Sequence, residues 1–82
     1  MRNNRAIKKK KLLRLKYYRD LYEITADELA EIIGKSPNTY RQKENRRIPF
    51  SYDEIVLIMD RINKSAAKSS GERHTFEQIF LP

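Results

Sequence analysis

The chain lacks cysteine altogether, and it has one histidine, two glycines and three prolines in 82 residues. Without cysteine there is no disulfide staple, no thiolate metal site and no thiol nucleophile, a composition that suits a reducing compartment. His74 stands alone with no second histidine to complete a ligand set, so no metal is expected, and its place in a polar stretch predicts a solvated linker residue. No apolar run approaches the ~20 residues of a membrane-crossing helix. The basic N-terminus is not followed by the apolar block and cleavage site of a signal peptide. Nothing assembles a nucleophile, a general base and an oxyanion site, so neither an enzyme nor a cofactor is expected.

Acidic charge is missing from particular places. Residues 1–19 carry nine Lys or Arg and no acid, and residues 35–47 carry five bases against Glu44. The remainder holds ten acids against four bases, within a formal net charge of +7. Charge needed only for solubility would not have to be segregated in this way; two basic patches on an acidic scaffold point to a polyanionic partner.

Eighty-two residues make one domain near the lower limit for a chain folding on its own core. Residues 1–10 have too little apolar content to order themselves and are expected to form a basic flexible arm. From Leu12, apolar residues at Leu15, Tyr18 and Tyr22 recur at helical spacing and stop near Glu23. Thr25 and Glu28 make a capping-box pair before a helix with Leu29, Ile32 and Ile33 inward and Ala30 at a close crossing. Gly34 ends it as a left-handed cap. Ser36 caps a third helix over about 37–45, with Pro37 at its first position. Ser51 and Glu54 form another capping box, opening a helix with Tyr52, Ile55, Ile58 or Met59, and Ile62 inward. Residues 64–74 read as a helix tail and flexible linker. Residues 75–82 read as a short apolar turn or helix whose Phe76, Ile79 and Phe80 cover the core. The expectation is all-α: a four- to five-helix bundle with its ordered domain over 11–63.

The stretch "GKSPNTYRQKENRR" (34–47) gives little to a core, since among residues 38–47 Tyr40 is the one large carbon surface. Two helices joined by a tight glycine turn make a helix-turn-helix. On the third helix Asn38, Arg41, Gln42 and Asn45 fall at i, i+3, i+4 and i+7 and share a face, with Tyr40 and Glu44 on the other side. Asn and Gln match the donor and acceptor of adenine in a major groove, and Arg matches guanine. A polar stripe is ordinarily a solvated face. The turn, the caps and the local positive charge together point to DNA contact by this one.

At these residues the chain resembles the helix-turn-helix of the XRE/Cro–CI family of phage and bacterial repressors. "ITADELAEIIGKSPNTYRQKEN" carries its pattern: T-x-x-E-L-A-x-x-x-G-x-S, then a buried position and E-N, with the resemblance covering about residues 12–63. "NTYRQKENRRIPFSYDEI" and "QIFLP" are similar to short regulators of phages and mobile elements of low-GC Gram-positive bacteria. The resemblance implies a lambda-repressor-like fold, a bacterial cytoplasmic and nucleoid-associated location, and a double-stranded DNA operator. It implies base or phosphate contact at Ser36, Pro37, Asn38 and Gln42, and phosphate contact at Asn45. It also implies a buried ion pair between Arg19 and Glu44, and a second phage repressor as a possible partner. Glu23 and Arg46 stand where the family commonly has glycine, which predicts a left-handed backbone at both. Lys43 stands where the family is usually apolar.

The expected contact set is then Pro37, Asn38, Arg41 and Gln42 on bases. Ser36, Thr39, Lys35, Lys43, Asn45, Arg46, Arg47 and Lys8, Lys9, Lys10 and Lys11 are expected on the DNA backbone. A weak homodimer, cooperative on DNA, is expected because one helix spans few base pairs. The rival reading is a protein-binding modulator, antirepressor- or antitoxin-like, docking the same basic surface on an acidic partner. The amide-rich stripe disfavours it, since protein hot spots want aromatic or apolar anchors. Single-stranded RNA modules use aromatic platforms on strands, which are missing here. "AIKKKKLLRLKYY" is amphipathic and basic enough to lie on a membrane, but the core needs its apolar face.

Overall fold

The computed structural model describes residues 11–81, and Lys8, Lys9 and Lys10 lie outside them. Five helices follow in order: α1 (Leu13–Leu21), α2 (Ala26–Ile32), α3 (Pro37–Glu44), α4 (Tyr52–Ser69) and α5 (Phe76–Phe80). There is no strand among the described residues. The all-α expectation of a small lambda-repressor-like bundle with a central helix-turn-helix is met.

Four helices begin on a side-chain cap. Thr25, Ser36, Ser51 and Thr75 each accept a backbone N–H three residues on, satisfying one of the donors a helix start leaves open. Ser51–Glu54 and Thr75–Gln78 close both halves of a capping box. Thr25 and Glu28 close only one half, because the Glu28 carboxylate accepts the Arg61 Nε–H of α4 at 2.6 Å instead.

The ends of α1, α2 and α3 share one device. In each, the second residue past the helix end is left-handed: Glu23 (φ 57°), Gly34 (φ 72°) and Arg46 (φ 62°). The next backbone N–H then reaches back five residues, from Ile24 to Arg19, Lys35 to Ala30 and Arg47 to Gln42, at 2.8–2.9 Å. This is a Schellman closure, which satisfies carbonyls the helix would otherwise leave open. Only Gly34 adopts that conformation without a Cβ penalty.

The core is made by one face of each helix. Leu15, Ile24, Leu29, Tyr40, Ile58, Ile62 and Ile79 are fully buried, with Ala30 and Ala66 at close crossings. Each large apolar side chain so buried contributes ~1.5–3 kcal/mol of transfer free energy. Phe80 closes the base against Phe50, edge to face at 5.7 Å, and Phe50 leads on to Tyr40 at 5.9 Å.

Two expectations are corrected here. Tyr52 is not inward but 79% exposed. The buried stripe of α4 follows Ile58, Ile62 and Ala66, and Tyr52 sits ~120° around the helix from Ile58 at 3.6 residues per turn. His74 is not a solvated linker residue but buried. α4 runs on to Ser69, and the connection after it is tied down. The Asn63 side chain accepts the His74 N–H at 2.7 Å and donates to the His74 carbonyl at 3.0 Å. The imidazole Nε2 lies 2.6 Å from the Tyr22 hydroxyl, and the ring packs on Tyr18 at 4.4 Å. His74 thus brings the segment before α5 onto α1.

Candidate nucleic-acid interface

α3 is held from behind by polar as well as apolar groups. Tyr40 is fully buried, and its hydroxyl donates to Glu44 Oε2 at 2.8 Å. Burial first, and then the Glu44 carboxylate, push the pKa of that hydroxyl far above its ordinary value, so it stays a donor. Arg19 of α1 meets the same carboxylate with a two-pronged contact, Nε to Oε2 and Nη2 to Oε1, each 3.1 Å. Its Nη1 also donates to the Ile24 carbonyl at 3.3 Å. The start of α1 is pinned to the end of α3, because the Leu12 N–H donates to the Glu44 carbonyl at 3.0 Å. Arg19 and Glu44 therefore fix α3 to α1 and to the turn that follows it.

Lys43, expected among the DNA-backbone contacts, points inward instead. Its ammonium donates to Glu54 Oε1 at 2.9 Å and to the Pro49 carbonyl at 3.0 Å, and it sits 5.9 Å from the centre of the Phe50 ring. The physical reason is helical spacing: Tyr40, Lys43 and Glu44 fall at i, i+3 and i+4 on one side. That spacing was the available signal, overridden by residue type. Glu54 has a further partner in the Ser51 N–H at 2.9 Å. Burial alone would raise the Glu54 pKa, but the Ser51 N–H and the Lys43 ammonium outweigh it and hold the carboxyl below its ordinary range. The loop after α3 is thereby stapled to the start of α4.

The opposite side of α3 has a different character. Pro37, Asn38 and Arg41 are exposed, and Gln42 and Asn45 are half-buried. The Asn38, Gln42 and Asn45 side-chain amides have no hydrogen-bond partner among the described residues. Arg41 reaches back to Asp27 of α2 at 3.2 Å, with both groups more than half exposed. Around this stripe, Lys35, Ser36 and Arg47 are exposed and Thr39 and Arg46 half-buried. Ser36 Oγ caps the helix and bonds Thr39 Oγ1 at 3.1 Å. Lys11 is exposed just before α1. Of the expected contact set, only Lys43 is turned away, apart from the three lysines outside the described residues.

Sequence reasoning missed the Lys43–Glu54 staple, the Arg61–Glu28 pair and the Asn63–His74 clamp. The last had no periodic signal, since it joins a helix to a connection eleven residues on. Among the described residues, no group of three His, Cys, Asp or Glu is placed to hold a metal ion, and no helix is long and apolar enough to cross a membrane.

A short, capped helix, locked behind and polar in front, packed against a second helix across a glycine turn, defines a helix-turn-helix domain. A family model described as helix-turn-helix matches residues 15–68, and the chain belongs to that family, of the XRE type. It is a family of DNA-binding regulatory domains and not of enzymes. Comparison with curated proteins and with solved structures finds no match.

Proposed function

We propose that the protein is a sequence-specific regulator of transcription, Cro- or repressor-like, serving a phage or mobile element, and that it lays α3 in the major groove of an operator. Asn38 and Gln42 each present a donor and an acceptor to adenine, and Arg41 presents its fork to guanine O6 and N7. Pro37 gives van der Waals contact. Ser36, Thr39, Lys35, Asn45, Arg46 and Arg47 border the stripe on the phosphate side, and Lys11 with the basic residues before it follows the backbone. Arg41 gives up Asp27 to reach a base. An exposed pair of that kind is worth ~1 kcal/mol or less, so the exchange costs little.

One observation carries the reading: unpartnered amides line one face of a helix whose other face is locked by a buried ion pair and a buried tyrosine. A helix this short covers few base pairs. Two copies on a two-fold site, with half-site centres about 10 bp apart, make the readout long enough to be selective. Such a regulator works in the cytoplasm, at the nucleoid.

Gel shifts against genomic fragments, with a pull-down for protein partners in parallel, test this. On the fragment selected, Asn38→Ala and Gln42→Ala are each expected to cost ~1–3 kcal/mol, with little change on unrelated DNA. Parent-like operator binding by both variants would remove the stripe from the readout, and a pull-down without any DNA shift would favour the protein-partner reading.

A further inference from the structure

α1 has two apolar sides. Leu12, Leu15, Tyr18 and Tyr22 turn into the molecule and pack in or against the core. Leu13, Tyr17 and Leu21 fall at i, i+4 and i+8 on nearly the opposite side, and they are 62%, 60% and 52% exposed. At 1.5 Å per residue they make a raised stripe about 12 Å long on the outer flank of the helix. The charges around it are unevenly spread. Lys11 and Arg14 are exposed at its Leu13 end, where Arg14 reaches the Glu77 carbonyl at 3.5 Å. Midway, Lys16 and Asp20 neutralise each other at 2.6 Å. At the Leu21 end, Glu23 and Glu72 stand against Lys68 around a hollow of about 470 Å³. The basic end is also the end that residues 2–11 lead into, a run of six bases without an acid.

We infer that this stripe is a contact for an anionic lipid surface, with α1 lying along the headgroups and its Leu13 end entering first. An interfacial helix needs an apolar strip with basic residues beside it. Tyrosine suits that boundary, because its ring is apolar and its hydroxyl stays wet. Bases that run on without an interposed acid match a plane of many phosphates better than the particular carboxylates of a protein groove. The carboxylates at the Leu21 end oppose such a plane, so the contact is tilted. Three apolar side chains and a basic run are each too weak alone to hold a protein on a bilayer, so the contact is reversible. The run is the one assigned above to the DNA backbone, and it cannot serve both polyanions at once. This exclusion rests on the operator reading; the lipid contact does not.

Co-sedimentation of the full chain tests this, with vesicles of phosphatidylglycerol and phosphatidylcholine in equal parts set against phosphatidylcholine alone. The parent is expected to bind the first and not the second. The chain has no tryptophan, so Tyr17→Trp places a single reporter in the stripe, and its emission should shift to the blue on the anionic vesicles alone. Leu13→Gln and Tyr17→Gln are each expected to weaken vesicle binding by about fivefold or more, and Leu21→Gln by about twofold or less. All three positions are on the surface and glutamine suits a helix, so circular dichroism melts and duplex gel shifts should match the parent. Added duplex should release the protein from the vesicles. A parent that ignores anionic vesicles overturns the inference. So do stripe variants that bind vesicles like the parent, since charge alone would then be the cause. An acidic protein captured through Leu13 and Tyr17, without vesicle binding, would assign the stripe to a protein groove and overturn the lipid contact. Stripe-dependent vesicle binding by a chain that shifts no duplex would overturn the operator reading and leave the lipid contact standing. Vesicle and duplex held together by one protein would overturn the exclusion.

Discussion

Glu44 takes three donated hydrogen bonds on one largely buried carboxylate: two from Arg19 and one from Tyr40. Deleting either member of a buried pair leaves an uncompensated charge, so Arg19→Ala or Glu44→Ala is expected to destabilise by ~3–5 kcal/mol. Thermal melts check this, and a parent-like melt for both would show that the pair contributes nothing. Glu54 gives a pH-dependent counterpart. Its folded pKa lies below its unfolded value, so its contribution is fully present above the ordinary glutamate value of 4.5 and is lost as pH falls through the depressed folded value. Stability of the parent should therefore drop below pH ~4.5, and Glu54→Gln should flatten that part of the profile while lowering the plateau above it; superimposable profiles would contradict the staple. At this scale the sequence was uneven. Tyr40 and the Arg19–Glu44 pair were legible, the first from spacing and the second from family resemblance. Lys43 was not, because a lysine is expected at the surface unless a carboxylate is known to wait beneath it, and Glu54 lies eleven residues further along.

Helix boundaries were the most legible feature, since most rest on chemistry within four residues: a hydroxyl cap at the start of α2, α3, α4 and α5, and a left-handed residue after the end of α1, α2 and α3. Glu23 and Arg46 show that the turn geometry prevails over residue type, at the conformational cost that Gly34 avoids. What local chemistry cannot show is how a connection is held down after its helix ends. The Ser-rich stretch before His74 reads as loose, and only its docking on Asn63, Tyr18 and Tyr22 reveals an anchored segment. Asn63→Ala leaves a buried N–H and a buried carbonyl of His74 without partners, at ~1–3 kcal/mol for each group. A lower melting temperature and faster proteolysis near residues 70–75 are the expected outcome. Unchanged cleavage there would mean that the aromatic contacts of His74 hold the segment without Asn63.

For the molecule as a whole, charge is divided along the chain rather than averaged. Residues 2–11 hold six bases and no acid. Removing them is expected to weaken binding to every DNA sequence alike, and to reduce the slope of log K against log salt by ~0.9 for each phosphate no longer neutralised. A slope unchanged by truncation would show that these residues take no part. The division of labour within α3 has an evolutionary consequence as well. Tyr40, Lys43 and Glu44 carry the duty of keeping the helix in place, while Asn38, Arg41 and Gln42 owe nothing to the core. Mutation can therefore drift through those three outward positions without passing through an unfolded intermediate genotype. Under the operator reading proposed above, the DNA target could then be rewritten at the same three codons while the scaffold stays as it is.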